Sequence, residues 1–243
     1  LAEKRGDLTF PQTHGDDSDI RVAHCPERVM PGYVIRELVE NDRVIGGMTK
    51  SCSTAAIEVY KLFVEGDCLV TNTRTAEMVK LTENASRDVS IAFANELSII
   101  CDKIDIDVWE LINFANLHPR VNILQPGPGV GGHCIAVDPW FIVDRNPEES
   151  RLIKLAREVN LDKTKWVIKK VKEKASELNN ELKRKPKIAC LGLSFKPNID
   201  DLRESPALEI AYELQKDGHN IFVVEPNILN HNDFELIEIE DAL

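Results

Sequence analysis

No stretch of this 243-residue chain is apolar for long enough to cross a bilayer. There is no excess of basic residues either. Thirty Lys and Arg against 41 Asp and Glu leave a net charge of −11, which argues against a nucleic-acid surface. The six cysteines (25, 52, 68, 101, 134 and 190) form no C-x-x-C pair, so neither a metal site nor a disulfide framework is expected. Reduced thiols in a cytoplasm are the simplest account. The opening residues are charged and polar, unlike a secretory leader. Neither an internal repeat nor a low-complexity segment stands out. What remains is an ordinary globular composition, 43% hydrophobic and 29% charged, with room for one large domain or two small ones.

The most informative segment is Pro126-Gly-Pro-Gly-Val-Gly-Gly-His-Cys134-Ile-Ala-Val-Asp138-Pro-Trp140. Glycines lack a Cβ, so a ligand can approach the backbone and Cys134 can sit at the base of a tight pocket. A thiolate there suits covalent catalysis at a carbonyl carbon. A buried structural cysteine in a glycine loop is the alternative. Gly127-Pro-Gly129-Val-Gly-Gly132 also spells the dinucleotide fingerprint G-x-G-x-x-G. That fingerprint needs a strand before it and a helix at its end, and the flanking residues provide neither.

Along the chain, Ile20–His24 and Arg43–Gly47 read as strands. Thr49 or Ser51 can cap a helix from about Cys52 to Phe63. Further helical patterns cover roughly Arg74–Cys101, Val108–Ala115 and Arg151–Leu182. Asp138-Pro139 reads as an N-cap followed by proline in the first turn. From Pro186 the order is strand, a helix capped by Ser205-Pro206 and stopped by Gly218, and a strand over Asn220–Glu225. That is the opening of a parallel α/β sheet. The chain begins at Leu1 without an initiator methionine and stops after an apolar-acidic alternation, as expected of a segment of a longer protein.

Glu77, Lys80, Asn84 and Arg87 fall on one face of the long helix expected over Arg74–Cys101, spaced by three, four and three. Lys80 beside Asn84 can hold a sugar hydroxyl or an oxyanion, and a desolvated lysine suits proton transfer. A solvated charge stripe is the alternative. Cys25-Pro-Glu27-Arg28 comes after the first strand, and Phe195-Lys196-Pro197 with Asp200-Asp-Leu-Arg203 fills the last strand–helix loop. Ligand sites gather at both kinds of place in α/β folds. His118-Pro-Arg120 precedes the glycine loop.

Cys25-Pro-Glu-Arg28, Ala76-Glu-Met-Val-Lys80 with Asn84, Gly131-Gly-His-Cys134 with Asp138, and Gly192-Leu-Ser-Phe-Lys196 with Asp200-Asp-Leu-Arg203 closely resemble, in order, the motifs of the UDP-glucose/GDP-mannose dehydrogenase family. The resemblance covers nearly the whole chain. It implies an α/β protein with a central all-helical dimerisation domain and remnants of two Rossmann-like domains at either end. Residues 1–47 would end an NAD-binding domain, 48–184 would be the helical domain with the cysteine loop and a connecting helix, and 185–243 would begin a UDP-sugar domain. The implied reaction is NAD-dependent, four-electron oxidation of a nucleotide-sugar C6 alcohol through a cysteine thiohemiacetal and thioester, with a role in surface-polysaccharide precursors. Cys134, Lys80, Asn84 and Asp138 would be catalytic. Glu27, Arg28, Val29, Arg87, His118, Arg120, Gly131, Phe195 and Lys196, together with Lys80 and Asn84, would line the sugar-nucleotide site, and Arg203 would reach NAD. An arginine such as Arg120 would come from the other subunit of a homodimer.

Within the family, the glycine-loop wording and Asn41-Asp-Arg-Val-Ile-Gly-Gly47 point to a UDP-N-acetylmannosamine substrate. Pro31 stands where the glucose enzymes carry a second glutamate. Since the family's N-terminal glycine fingerprint is not among these residues, the segment alone is expected to lack turnover. The alternatives are a dehydrogenase for UDP-N-acetylglucosamine or another 6-hydroxy sugar nucleotide, and a non-catalytic dimerisation module. A cysteine hydrolase is a weaker option, because no His/Asn pair is evident to activate the thiol.

Overall fold

A computed structural model describes residues 4–29 and 32–242, and it divides into two compact units, one ending at Glu83 and the other beginning at Asn84. Pro31, expected to mark a departure from the glucose enzymes, lies outside the described residues.

The first unit opens with α1 (Pro11–His14), a 3-10 turn over Gly15–Asp17, and β1 (Ala23–His24). Next come α2 (Val34–Glu40), β2 (Arg43–Gly47), α3 (Lys50–Tyr60), β3 (Cys68–Asn72) and the first turns of α4 (Thr73–Lys103). β2 is central. It pairs antiparallel with β1 and parallel with β3, in register from Arg43↔Cys68 to Gly47↔Asn72. Ile45 on β2 is fully buried. A Cβ on Gly46 would come within 2.5 Å of the Ala76 Cβ, so glycine lets α4 start directly against the sheet.

Three expectations shift here. The strand expected over Ile20–His24 shrinks to Ala23–His24, because the Ile20 amide is taken by the Thr9 carbonyl instead of a neighbouring strand. The helix expected from Cys52 to Phe63 starts at Lys50 and ends at Tyr60. Thr49 is its cap, accepting from the Cys52 amide at 3.3 Å. The sheet also continues past residue 47 through β3, whose Leu69 and Val70 are more than half exposed and so carry no buried alternation.

The second unit holds the rest of α4, α5 (Val108–Ala115), α6 (Asp138–Arg145) and α7 (Arg151–Leu182). β4 (Lys187–Leu191), α8 (Pro206–Lys216), β5 (Asn220–Val224) and α9 (Ile239–Ala242) complete it. β4 and β5 are parallel, from Lys187↔Asn220 to Leu191↔Val224. Leu193, Ala211, Val223 and Phe234 form the core beneath α8. α5 and α7 have the limits expected from their periodicity. Ser205 caps α8 as expected, accepting from the Leu208 amide.

α4 and α7 meet through buried polar groups as well as apolar ones. Arg157 reaches Asp88 at 2.6 Å, and both are essentially inaccessible. Asn160 donates to the Asp88 side chain at 2.8 Å and to its carbonyl at 3.1 Å. Burial pushes the Asp88 carboxyl up, and the Arg157 guanidinium opposes that shift without cancelling it. Lys163 is 4% exposed, donates to Ser98 at 2.6 Å and lies 4.0 Å over the Trp166 ring. Burial lowers its pKa to about 8. Among the described residues, no helix is long and apolar enough to cross a membrane.

Candidate active site

The glycine loop between α5 and α6 is clamped from three sides. The Gly127 amide donates to the Asn95 side chain at 2.8 Å, and Asn95 in turn donates to Asn160 at 2.9 Å, so the loop is tied to the buried Asp88–Arg157 pair. Thr164 on α7 donates to the Pro128 carbonyl at 2.9 Å. The Gly132 amide donates to the Arg203 carbonyl at 2.9 Å. Neither a strand before the loop nor a helix at Gly132 accompanies the G-x-G-x-x-G spelling; α6 starts only at Asp138.

Most of the room these glycines leave is filled by the chain itself. A Cβ on Gly129 would sit 2.4 Å from the Thr164 hydroxyl, and one on Gly131 would sit 2.5 Å from both the Glu204 carbonyl and the Phe195 Cβ. Gly132, at φ +82°, would meet the Phe195 ring at 2.9 Å. The aromatic of the β4–α8 loop is thus stacked onto the backbone that leads into Cys134.

Cys134 is half-buried at the turn into α6, and its carbonyl accepts from Val137 at 3.1 Å and Asp138 at 2.8 Å. Asp138 was expected to cap this helix. Instead Val137 holds the cap position and Asp138 is the first helical residue, without a side-chain cap bond. Its carboxylate is drawn to Asn84, whose side-chain amide donates at 2.5 Å. A carboxylate in the first turn also suits the helix dipole. Asn84, Cys134 and Asp138 are therefore gathered around the α6 N-terminus by the second unit alone.

Phe195 and Lys196 lie on the β4–α8 loop, Lys196 exposed. Arg203, 61% exposed, forms a two-pronged pair with Asp201 at 2.9 and 2.6 Å. The guanidinium holds the Asp201 carboxyl down at about 2. Arg87 is exposed on α4. His118 and Arg120 share an exposed turn in which the Arg120 amide donates to the His118 ring at 3.3 Å.

In the first unit, the Glu27 carboxylate folds back onto its own loop. It accepts from the amides of Arg28 at 2.7 Å and Val29 at 3.1 Å, and from buried Arg43 at 3.0 Å. Partial burial works against the charge, but these donors outweigh it and hold Glu27 below the usual range. Arg28 pairs with Glu83 at 2.8 Å. Lys80, half-buried on α4, belongs to this unit, one helical turn before Asn84.

Sequence reasoning passed over Asp88, Asn95, Arg157, Asn160 and Thr164. Their signal was polar residues at helical core spacing: 88 and 95 on α4, and 157, 160 and 164 on α7.

The chain matches the three domain models of one family in succession: the NAD binding domain over residues 3–64, the central domain over 74–162 and the UDP binding domain over 189–242. It belongs to the UDP-glucose/GDP-mannose dehydrogenase family. A UDP-N-acetyl-D-mannosamine dehydrogenase of Campylobacter jejuni is 66% identical over 229 residues, covering 94% of this chain and 55% of the relative. An NDP-N-acetyl-D-galactosaminuronic acid dehydrogenase of Ralstonia solanacearum is 62% identical over 248 residues, covering 100% and 57%. Among solved structures, the S. aureus UDP-N-acetyl-mannosamine dehydrogenase superposes with a TM-score of 0.82 at 45% identity, over 93% of this chain and 52% of that one. The Pyrococcus horikoshii UDP-D-ManNAc dehydrogenase gives 0.82 at 38% identity, over 93% and 53%. The chain thus spans about half the length of the relatives it matches.

Proposed function

We propose that these residues belong to an NAD-dependent nucleotide-sugar 6-dehydrogenase that converts UDP-N-acetyl-D-mannosamine to the corresponding uronate, a precursor for surface polysaccharide. The observation that carries this reading is the gathering of Asn84 and Asp138 at the turn that bears Cys134, below a loop stacked on Phe195.

In this account the Cys134 thiolate adds to the C6 aldehyde formed by the first oxidation and holds it as a thiohemiacetal. Loss of a second hydride leaves a thioester. Water then displaces the sulfur, releasing the carboxylate and restoring the thiolate. Asp138, fixed by Asn84, orients that water and takes its proton. Lys80 and Asn84 stabilise the oxyanion. Glu27, Arg28, Val29, Arg87, His118, Arg120, Gly131, Phe195 and Lys196 bind the sugar nucleotide. The exposed guanidinium of Arg203 would hold a phosphate of NAD, which would supply the hydride acceptor for both oxidations. To reach it, Arg203 must give up or share Asp201.

A homodimer through the helical region fits the exposed apolar side chains there. Phe93, Trp109, Phe114, Leu152 and Leu155 are each more than half exposed. Free thiols at all six cysteines suit a reducing cytoplasm.

The test is a panel of UDP-hexosamines assayed with the full-length protein, wild type and Cys134→Ala. UDP-N-acetylmannosamine should give the highest kcat/KM, with two NADH per sugar, and Cys134→Ala should make no uronate. A preference for the galactosamine epimer would move the assignment toward the Ralstonia relative's named activity.

A further inference from the structure

The tip of β5 holds a buried carboxylate that the proposed chemistry does not use. Glu225 is 5% exposed. Its Oε2 accepts from the amides of Leu193 at 2.8 Å and Ser194 at 2.9 Å, immediately after the turn at Gly192 (φ +100°). Its Oε1 accepts from the Asn227 amide and side chain, both at 2.9 Å. Burial works against the charge, yet the amides of Asn227, Leu193 and Ser194 hold the carboxyl down at about 2.

The topology gives this bond its meaning. In a β–α–β nucleotide fold, the amides after the first strand's glycine turn meet the ligand's pyrophosphate, and an acidic residue after the second strand meets the ribose. Here the same sequence of parts runs β4, Gly192, α8, β5, Glu225. The acidic residue has turned inward, and its own carboxylate fills the amides that a phosphate would take. Both amides that follow Gly192 are thus already paired with an anion of the chain itself.

The same loop is held at further points between Ser194 and Ser205. The Ser205 hydroxyl donates to the Leu193 carbonyl at 2.6 Å, and Ser194 donates to the Ile199 carbonyl at 2.8 Å. The loop returns to the glycine loop through the Arg203 carbonyl on Gly132, and Phe195 lies against Gly131 and Gly132.

We propose that Glu225 is a positioning residue, an internal anion that stands in for a ligand phosphate and sets the loop bearing Phe195 and Lys196 for the nucleotide sugar. This rests on the proposed role of Phe195 and Lys196 in binding that substrate. Glu225 acts through the loop and touches no reacting atom.

The experiment is initial-rate kinetics on the full-length enzyme for Glu225→Gln, Glu225→Asp and Lys196→Ala, varying UDP-N-acetylmannosamine and NAD separately, with melting temperatures alongside. Glutamine keeps the shape but puts an amide donor against one pair of donors. It should raise KM for the nucleotide sugar about tenfold or more, with kcat within about threefold and KM for NAD unmoved, the signature of lost substrate binding. Aspartate keeps the charge, withdraws it by one methylene and should raise the same KM about threefold, which covers a glutamine variant that does not fold. A lowered melting temperature with KM unchanged in both variants overturns the proposal. If Lys196→Ala raises KM and neither Glu225 variant does, this inference fails alone. If Lys196→Ala leaves KM unchanged, the nucleotide-sugar reading of the loop fails and this inference falls with it.

Discussion

Asn84 donates a 2.5 Å hydrogen bond to the Asp138 carboxylate, joining α4 to the first turn of α6 across 54 residues of sequence. The bond replaces the capping role that Asp138 would otherwise play, and it fixes the carboxylate beside the turn that carries Cys134. Asn84→Ala should therefore slow thioester hydrolysis more than either oxidation. Removing one preorganised donor costs about 10²-fold in comparable sites. Rapid-quench kinetics on the full-length enzyme should show NADH formed in a burst while uronate lags; equal slowing of all steps contradicts the assignment.

Gly131 has no room for a methyl group. The nearest atoms are the Glu204 carbonyl and the Phe195 Cβ, both at 2.5 Å from a Cβ there. Backbone cannot yield as a flexible side chain can, so Gly131→Ala must push the β4–α8 loop off the glycine loop. Overpacking of this kind costs about 1–3 kcal/mol. Urea unfolding should show that loss, and affinity for the nucleotide sugar should fall with it.

Asp88 and Arg157 are paired out of reach of water, with Asp88 Oδ2 and Arg157 Nε unpartnered. Arg157→Met would strand the carboxylate, at a cost of about 3–5 kcal/mol. Adding Asp88→Asn removes the stranded charge and should recover much of the loss. The comparison is between urea midpoints of the single and double variants. A single variant as stable as the wild type would show that the pair contributes nothing.

Lys163 sets a pH dependence of known sign. Its folded-state pKa of about 8 lies below the ordinary 10.5, so the fold favours the neutral amine. The cost of the buried charge is fully present below pH 8 and vanishes as pH rises through 10.5. Full relief amounts to about 3 kcal/mol, from 1.36 kcal/mol per pKa unit. Wild type minus Lys163→Met unfolding free energy should climb across that window; a flat difference contradicts it.

How much of the fold and site is legible in the sequence depends on what signals each part. α4, α5 and α7 are readable because their apolar residues repeat at helical spacing, and α3 and α8 because Thr49 and Ser205 precede them as caps. The residues of the glycine loop announce themselves by composition. β3 does not, since Cys68-Leu-Val-Thr-Asn72 is five residues long with Leu69 and Val70 exposed. Asp138 reads locally as a cap because its partner lies on another helix, and no local pattern records that. Asp88 and Arg157 look like solvated charges until α4 and α7 are brought together. Glu225 reads as the last residue of a strand, and its role depends on which way one side chain turns.

The most direct measurement is intact-protein mass spectrometry and peptide mapping of the full-length enzyme, acid-quenched during turnover of UDP-N-acetylmannosamine with NAD. Asn84→Ala, in which hydrolysis should lag, would be run beside the wild type. A uronyl thioester on Cys134, present only with both sugar and NAD and absent in Cys134→Ala, is the expected result. Uronate made at the normal rate with no sulfur-bound adduct at Cys134, or by the Cys134→Ala enzyme, would contradict it.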